Sequence, residues 1–278
     1  MLTARDRLRG GQRILFIDDR VPRETSGFGD PRALAIVRSL VGLGHSVSMF
    51  PTAAAEEDWT RIYEDLPRRV EVLRGYGARE LKRFLHECGD AFDTVIVSRS
   101  HNMKLMRAKL GEPRSWAGGA RIVYDAEAIT STRDVLRRRL FGESVSESEA
   151  RRLVSAELAL ARGVDAVFAV SADEAQQFET VAPGRVHVIG HGLGVRPTTR
   201  PFRERRGILF VGAFHELSPN ADAVLWFIRH VWPRLREQLG DQVWLSVAGQ
   251  NPPRELEAQG REGIHVLGEV RDRAASPF

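Results

Sequence analysis

The sequence is poor in cysteine, and it lacks both a long apolar run and an apolar segment near its N-terminus. Cys88 is the only cysteine, so no disulfide can form within the chain, which is typical of a reducing cytosol. No stretch approaches the roughly 20 apolar residues that a membrane-spanning helix needs. The basic N-terminus is not followed by the apolar core of a secretory signal. With 42% hydrophobic and 28% charged residues, the composition predicts a globular, cytoplasmic protein.

Lysine is also scarce, because arginine supplies nearly all of the positive charge behind the net charge of +4. The arginines are spread along the chain, and no basic patch interleaved with aromatic residues is visible, so we expect no nucleic-acid partner. Arginine fits phosphate groups well, which favours a phosphorylated small ligand. The alternative, that most of these arginines simply cover a solvated face, explains the majority of them equally well.

Two chemical signatures are missing as well. The G-x-G-x-x-G fingerprint of dinucleotide-binding proteins is absent, and no histidine, cysteine or acidic residues show the spacing of metal ligands. We therefore expect neither a dinucleotide cofactor nor a metal ion. Short apolar runs instead alternate with helical patterns along the chain. This alternation predicts an α/β protein with parallel sheets and right-handed crossovers.

The change of composition in HGLGVRPTTRPFRER divides the chain into two predicted Rossmann-like domains. The N-terminal domain covers residues 1–190, the linker residues 191–205, and a partial C-terminal domain residues 206–278. Predicted strands of the first domain begin near residues 13, 45, 70, 94, 121, 167 and 186, and those of the second near residues 208, 243 and 264.

Several polar or glycine residues follow predicted strands of the first domain. Gly27 and Gly29 lie in the loop after the first strand, His101 follows the strand at 94–97, and Asp125 and Glu127 end the strand at 121–124. Ligands of open parallel sheets bind beyond the carboxyl ends of strands, so these residues should converge on one rim. Each of them could equally be a helix cap or a turn residue.

The stretch from 206 to 227 opens the second domain. A buried strand is expected at 208–211, followed by Gly212, a loop with His215, and a helix that Ser218 caps and Pro219 begins. The backbone N–H groups and the positive end of that helix favour an anion such as a diphosphate. An ordinary turn without a ligand is the competing interpretation.

The order of these motifs resembles the GT-B glycosyltransferases, specifically the retaining, nucleotide-sugar-dependent family 4. The resemblance rests on ILFIDDRVPRETSGFGDPRALAIVRSLVGLGHSVSMFP at the start, VIVSRSHNM and IVYDAEAITSTR in the middle, FAVSADEAQQF before the linker, and ILFVGAFHELSPNADAVLWFI with SVAGQNPP after it. It implies two Rossmann-like domains that face each other across a cleft, with the acceptor mainly on the first and the sugar nucleotide mainly on the second.

The resemblance also implies roles for individual residues. Gly27 and Gly29 would contact the donor phosphate and the acceptor. His101, Asp125 and Glu127 would line the side of the acceptor and the transferred sugar. On the donor side, Gly212 matches the glycine that ends the first strand, Asn220 matches the residue that opens the helix, and His215 is the nearby polar residue.

The sequence departs from the family in two respects. Positions where the family usually places a basic pair read Ala213-Phe214 and Ser218-Pro219, and the chain ends after three strands of the second domain. We therefore expect an apparently truncated C-terminal domain, either a fragment or a degenerate protein. Its incomplete sheet should favour oligomer formation.

The resemblance implies a hexosyltransferase-type glycosyltransferase, impaired by the truncation, that transfers a sugar from a nucleotide-sugar donor to a cell-surface polysaccharide or glycolipid. It would act at the inner face of the membrane and with peripheral membrane association. Its donor would be a nucleotide-diphosphate sugar and its acceptor a saccharide or a lipid-linked saccharide. The first alternative is a non-catalytic remnant that binds a sugar or nucleotide. The second, an oxidoreductase or epimerase, is disfavoured by the missing dinucleotide fingerprint.

Overall fold

The computed structural model describes residues 11–24, 29–192, 201–214, 219–260 and 263–270. The chain forms two compact units, Met1–Leu193 and Gly194–Phe278. The predicted residues Gly27 and His215 lie outside the described residues, as does most of the predicted linker.

The first unit is built on a seven-stranded parallel sheet with the strand order β3-β2-β1-β4-β5-β6-β7. Its strands are β1 (Arg13–Asp18), β2 (Ser46–Pro51), β3 (Glu71–Val72), β4 (Thr94–Ser98), β5 (Arg121–Glu127), β6 (Ala166–Ala169) and β7 (Val186–Val188). Seven α-helices connect them: α1 (Asp30–Gly42), α2 (Trp59–Ile62), α3 (Leu81–Cys88), α4 (Ser100–Leu110), α5 (Thr130–Leu140), α6 (Glu147–Leu158) and α7 (Ala172–Glu179).

Both faces of this sheet are covered, which explains why its central strands are apolar throughout. Alternate side chains of a strand point to opposite faces, and β1 shows this directly. Leu15 and Ile17 belong to one buried cluster, whereas Ile14 and Phe16 belong to the other. A parallel sheet buried on both sides needs such continuous apolar runs.

The strand order reverses between β1 and β4, which are neighbours in the sheet although two strands separate them in sequence. The connections on either side of this point lead away to opposite edges, and they leave a crevice beyond the carboxyl ends of β1 and β4. This topological switch point is where open α/β sheets bind their ligands.

The second unit contains a three-stranded parallel sheet with the order β10-β9-β8. Its elements are β8 (Ile208–Val211), α8 (Pro219–His230), α9 (Trp232–Leu239), β9 (Leu245–Ala248), α10 (Arg254–Glu257) and β10 (Ile264–Gly268). Ile208, Leu245 and Val247 pack with the helices in one core. Other apolar side chains of the sheet are exposed, namely Leu209, Val211 and Leu267.

The structure corrects two helices expected from the sequence pattern. The apolar spacing predicts one helix through Leu235, but α8 ends at His230 and α9 begins at Trp232. Pro233 has no N–H to continue the helical hydrogen bonds, so the helix breaks there. The pattern of residues 56–66 also predicts a helix, but the structure has only α2 in this range. It begins after Asp58, which caps it by accepting a hydrogen bond from Arg61 N (3.0 Å).

Candidate functional site

A cluster of charged side chains occupies the switch point of the first sheet. We call it the switch-point cluster; it consists of Asp18, Asp19, Asp30, Arg99 and Glu127. The Arg99 guanidinium lies at its centre. Its Nε is 2.9 Å from Asp18 Oδ1 and 3.4 Å from Glu127 Oε2, and its Nη2 donates to Asp30 Oδ1 at 2.8 Å. Asp19 Oδ2 is 3.4 Å from Nη1. One guanidinium, on the connection after β4, thus holds together four carboxyl groups from two other connections, those after β1 and β5.

The backbone is strained where this cluster forms. Arg99 has a φ of 74° and Glu127 a φ of 59°, a region that residues other than glycine seldom occupy. The pairing of β5 with β6 also shifts register between Asp125 and Glu127. Such bulges redirect the side chain that follows them. Strain of this kind costs about 1–3 kcal/mol per residue and is concentrated at functional sites.

Gly29 lies directly against Glu127. Its φ is 84°, and a Cβ atom built on it would stand 1.8 Å from Glu127 Oε1. No residue with a side chain could occupy this position without displacing the Glu127 carboxylate. The glycine is therefore required both by its backbone conformation and by the close approach.

Burial controls the protonation of the cluster. Burial raises the pKa of Asp18 to about 8, despite the opposing attraction of Arg99. Burial also raises the pKa of Glu127, against the charges of Arg99 and two other arginines. The Oδ2 atoms of Asp18 and Asp30 are buried and have no hydrogen-bond partner. At neutral pH burial therefore favours the protonated form of Asp18, and the charge of Arg99 acts in the opposite direction.

His101 and Asp19 form a pair at the rim of the cluster. His101 Nε2 contacts Asp19 Oδ1, and Asn102 Nδ2 donates to the same oxygen at 2.8 Å. Burial alone would raise the pKa of Asp19, but the hydrogen bonds from His101 and Asn102 bring it below its ordinary value. Asp19 is thus an ionised carboxylate that orients a largely exposed imidazole.

Asp125 occupies a different position from the one the sequence suggests. Its carboxylate is fully buried and forms a two-pronged ion pair with Arg32, at 2.9 Å (Nη1–Oδ2) and 2.8 Å (Nη2–Oδ1). Ser98 Oγ also donates to it at 3.1 Å, and Arg32 Nε donates to the Ile189 carbonyl at 3.0 Å. Asp125 therefore joins α1 to the ends of β4, β5 and β7, and it does not line an open surface.

Two of the predicted donor-side residues meet in the second unit. A Cβ atom on Gly212 would stand 2.9 Å from Asn220 Nδ2, and this amide donates to the Ala213 carbonyl at 2.9 Å. The backbones of Gly212 and Gly249 also cross so closely that a Cβ on Gly249 would stand 1.7 Å from Gly212 O. Phe214, at one of the positions where a cation was expected, is buried in the core.

The sequence pattern did not single out Arg99, Asp30 or Asp19 as site residues. Arg99 and Asp19 do follow strands, as His101 does, so the rule that singled out His101 could have found them. Asp30 precedes a proline at the start of α1, where acidic residues are common because they interact favourably with the positive end of the helix dipole. Only its contact with Arg99 reveals its membership of the cluster.

Among the described residues, no group of three or more histidine, cysteine or acidic side chains is arranged to hold a metal ion. Within the same ranges, no helix is both long and apolar enough to cross a membrane.

Comparison with known proteins gives a family match over the second unit, outside the switch-point cluster. Residues 205–277 match the family model described as "Glycosyl transferases group 1". No curated protein matches the chain significantly. Among solved structures, the chain is similar to the catalytic domain of Starch Synthase IV from Arabidopsis thaliana bound to ADP and acarbose. The TM-score is 0.58 at 12% identity, over 95% of this chain and 75% of that chain.

The chain is also similar to WaaG, a glycosyltransferase involved in lipopolysaccharide biosynthesis. That match has a TM-score of 0.52 at 15% identity, over 93% of this chain and 70% of that chain. A third likeness, to UGT2 of Phytolacca americana complexed with UDP-2fluoro-glucose and pterostilbene, has a TM-score of 0.50 at 9% identity, over 94% of this chain and 72% of that chain. The GT-B fold predicted from the sequence is thus confirmed, with seven strands in the first sheet and three in the second among the described residues.

Proposed function

We propose that this protein transfers a sugar from a nucleotide-diphosphate sugar to a hydroxyl group of an acceptor. The observation that supports this most strongly is the match of residues 205–277 to the group 1 glycosyl transferases, in a chain that has the GT-B fold over nearly its whole length. In the reaction, the acceptor oxygen forms a bond to the anomeric carbon, the bond from that carbon to the diphosphate breaks, and the hydroxyl proton must leave.

His101 is suited to accept that proton. Because its Nε2 faces the ionised Asp19, the neutral ring carries its hydrogen on Nε2 and leaves Nδ1 free to act as a base. Asp19 then stabilises the charge that develops on the ring, as an orienting carboxylate does in other base–carboxylate pairs. Whichever stereochemical course the transfer takes, the proton has to be removed, so this role does not depend on it.

Glu127 is proposed to bind the acceptor hydroxyl groups. Its side chain is 23% exposed at the edge of the cluster, while Arg99 and Gly29 fix its orientation. Asp125, which is buried, is proposed as a positioning residue that holds α1 against the ends of the strands. Its removal would act through the placement of Gly29 and Glu127 rather than through contact with substrate.

The donor is proposed to bind where Gly212 and Asn220 meet at the start of α8, with Gly27, Gly29 and His215 as further donor contacts. The N-terminus of α8 provides backbone N–H groups and a partial positive charge for the diphosphate. No metal ion or other cofactor is proposed. The exposed apolar residues Leu209, Val211 and Leu267 favour oligomer formation through the second sheet.

The acceptor is proposed to be a cell-surface polysaccharide or a glycolipid, glycosylated at the inner face of the membrane. The second candidate function is binding of a sugar or nucleotide without turnover. The buried Phe214 favours this candidate, because it stands where a phosphate-binding cation would be expected.

A turnover assay with uridine-, guanosine- and adenosine-diphosphate sugars tests the proposal, with His101→Gln as the active-site variant. His86→Gln, an exposed histidine on α3, is the matched control. The proposal requires release of nucleoside diphosphate that His101→Gln lowers at least about tenfold and His86→Gln leaves unchanged. Calorimetric binding of a donor sugar without any release of diphosphate would support the binding module instead.

A further inference from the structure

A shallow cavity of about 510 Å³ lies beyond the carboxyl ends of β2 and β3. Its lining residues are Ala55, Glu56, Trp59, Arg74 and Gly75, and none of them belongs to the switch-point cluster. We call it the Trp59 pocket. Its volume falls within the roughly 300–1,000 Å³ that small-molecule sites occupy. Because the connections after β2 and β3 leave the sheet at the same edge as the cluster, the pocket is positioned to hold a second part of one ligand.

Trp59 provides an ordered apolar surface in this pocket, although it is 48% exposed. Its ring centroid lies 6.1 Å from that of Tyr63, with 19° between the ring planes, and the guanidinium carbon of Arg74 is 5.5 Å from the indole ring centroid. Ile62, in the same helix, is buried and anchors α2 to the unit. These contacts orient the indole and leave nearly half of it open to solvent, so it offers contact area at little cost in conformational entropy.

Arg74 and Glu56 add a hydrogen-bond donor group and an acceptor group to the pocket. The Arg74 Nη2 atom donates to the Glu56 carbonyl oxygen at 3.0 Å, which holds the guanidinium beside the indole. In the ranges that the structure describes, Arg74 forms no ion pair with a carboxylate, and the carboxylate of the exposed Glu56 has no hydrogen-bond partner. The neighbouring Glu57, by contrast, is paired with Arg23 at 3.0 Å. The side chains of Arg74 and Glu56 are therefore available to a ligand.

We propose that the Trp59 pocket binds one neutral sugar ring of the acceptor, other than the ring that carries the reacting hydroxyl group. This binding rests on the proposed function. The C–H face of the sugar ring packs against the indole, Arg74 donates a hydrogen bond to one hydroxyl group, and Glu56 accepts a hydrogen bond from another. An acidic sugar fits the pocket less well, because the carboxylates of Glu56 and Asp58 both lie near Arg74 and repel a further anion.

The backbone joins the pocket directly to the switch-point cluster. Ala53 N donates to the Asp19 carbonyl oxygen at 2.8 Å, and Thr52 Oγ1 donates to Asn102 Oδ1 at 2.9 Å. Ala55, which lines the pocket, follows Ala53 closely, and two residues of extended chain span at most about 7 Å. The pocket therefore begins on the order of 10 Å from Asp19. A ligand that reaches both places is longer than one sugar ring, so the acceptor is inferred to be an oligosaccharide.

Calorimetric titration of the full chain without donor tests the proposal, so its outcome is independent of sugar transfer. The ligands are neutral trisaccharides of glucose, galactose, mannose and N-acetylglucosamine, together with the trisaccharide of galacturonic acid as an acidic counterpart. Trp59→Leu and Arg74→Gln are the test variants. The matched controls are Trp226→Leu, at a tryptophan on α8 that is 57% exposed, and Arg69→Gln, at an exposed arginine before β3. Circular dichroism checks that the variants stay folded.

We expect at least one neutral trisaccharide to bind. Trp59→Leu and Arg74→Gln should each raise its dissociation constant by about five- to tenfold, whereas the two controls should leave it unchanged. The proposal would be overturned if no neutral trisaccharide bound, or if test and control variants had equal dissociation constants. Tighter binding of the galacturonic acid trisaccharide than of every neutral one would overturn it as well.

The turnover assay adds a second readout. Trp59→Leu should raise KM for the trisaccharide acceptor more than KM for the matching monosaccharide, because only the longer acceptor reaches both the cluster and the pocket. An equal rise for both acceptors would contradict the assignment of the pocket. Binding of a trisaccharide through Trp59 without any turnover would support the pocket and contradict only the proposed sugar transfer.

Discussion

Glu127 combines three features that rarely coincide in one residue: a positive φ, a raised pKa and a glycine pressed against its carboxylate. Substitution Glu127→Gln keeps the shape but removes the charge. We expect it to lower kcat/KM for the acceptor by about 10–100-fold. Stability should change by less than about 1 kcal/mol, because the lost attraction to Arg99 is offset by relief of the burial cost. Steady-state kinetics with varied acceptor concentration measure kcat/KM, and a thermal melt measures stability. Unchanged acceptor kinetics would contradict the proposed role of Glu127.

Gly29 allows a matched comparison with Gly44, since both have a φ above 80° but only Gly29 faces a side chain. Alanine at Gly44 would meet open space and should cost about 1 kcal/mol of stability through backbone strain, without loss of activity. Gly29→Ala should cost more and should also abolish most of the transfer activity, because the new methyl group displaces Glu127. Denaturant melts and turnover assays separate the two effects. Equal behaviour of the two variants would show that the contact with Glu127 is unimportant.

The buried Asp18 should make the protein less stable as pH rises. Because the folded state holds the Asp18 proton up to about pH 8, whereas the ordinary pKa is 3.8, the folded protein binds more protons between these values. The free energy of unfolding then falls with pH, by up to about 1.4 kcal/mol per pH unit from this group. In Asp18→Asn this contribution is absent. The variant should therefore gain stability relative to the unmodified protein from pH 5 towards pH 8.

Denaturant melts at several pH values measure this gain. Asp93 is the control, because its pKa is shifted in the opposite direction from that of Asp18. Hydrogen bonds from the side chain and backbone of Arg13 lower the pKa of Asp93, so its stabilising contribution is present at neutral pH and lost as pH falls. Asp93→Asn should thus be destabilising at neutral pH, with an effect that shrinks in acid. Parallel pH profiles for Asp18→Asn and Asp93→Asn would contradict the assignment of Asp18.

Among the elements, α5 depends on one carboxylate of the neighbouring helix. Hydrogen bonds from Ser131 and Thr130 bring the pKa of Glu157 below its ordinary value, although burial acts to raise it. Glu157→Gln replaces an acceptor oxygen with an N–H₂ group that faces N–H donors, so we expect a loss of about 1–3 kcal/mol at neutral pH. The loss should diminish as pH falls, when Glu157 itself becomes protonated. Glu147→Gln, at a surface ion pair, should cost less than about 1 kcal/mol, and equal losses in chemical denaturation would show that the cap is unimportant.

Most strands and the alternation of elements could be predicted from the sequence, because buried parallel strands are short apolar runs bounded by glycine or polar residues. The switch between α8 and α9 could have been found from Pro233 alone. The two-pronged Arg32–Asp125 ion pair could not be predicted from the sequence. Its partners are 93 residues apart, and nothing in the local sequence distinguishes Asp125 from an exposed carboxylate at the end of a strand. The raised pKa of Asp18 could not be predicted from the sequence either, because it depends on the packing around the side chain.

At the scale of the whole molecule, sugar transfer requires charged or polar groups for both the acceptor and the donor. Among the described residues, the first unit has such a cluster, whereas the second unit has no comparable set of cations for the donor diphosphate. The first unit offers a strained, charged and well-supported cluster. In the second unit, the sequence from Ala213 to Pro219 contains no lysine or arginine, and Phe214 is buried in the core. A donor diphosphate brings about two negative charges, which cost several kcal/mol if they are left underpaired in a partly dry site.

We therefore predict that the chain turns over slowly, because the N-terminus of α8 supplies only about 0.3–1 kcal/mol, or up to roughly 2 when partly buried, towards that cost. The purified 278-residue chain, assayed with uridine-, guanosine- and adenosine-diphosphate sugars and a lipid-linked or oligosaccharide acceptor, should release diphosphate at well below about 1 per second. Steady turnover at or above that rate would contradict the prediction and would require another source of cations. The arginines from Arg203 to Arg206 are the nearest candidates in sequence, and the loss of that turnover in Arg203→Gln, Arg205→Gln or Arg206→Gln would identify the diphosphate contacts.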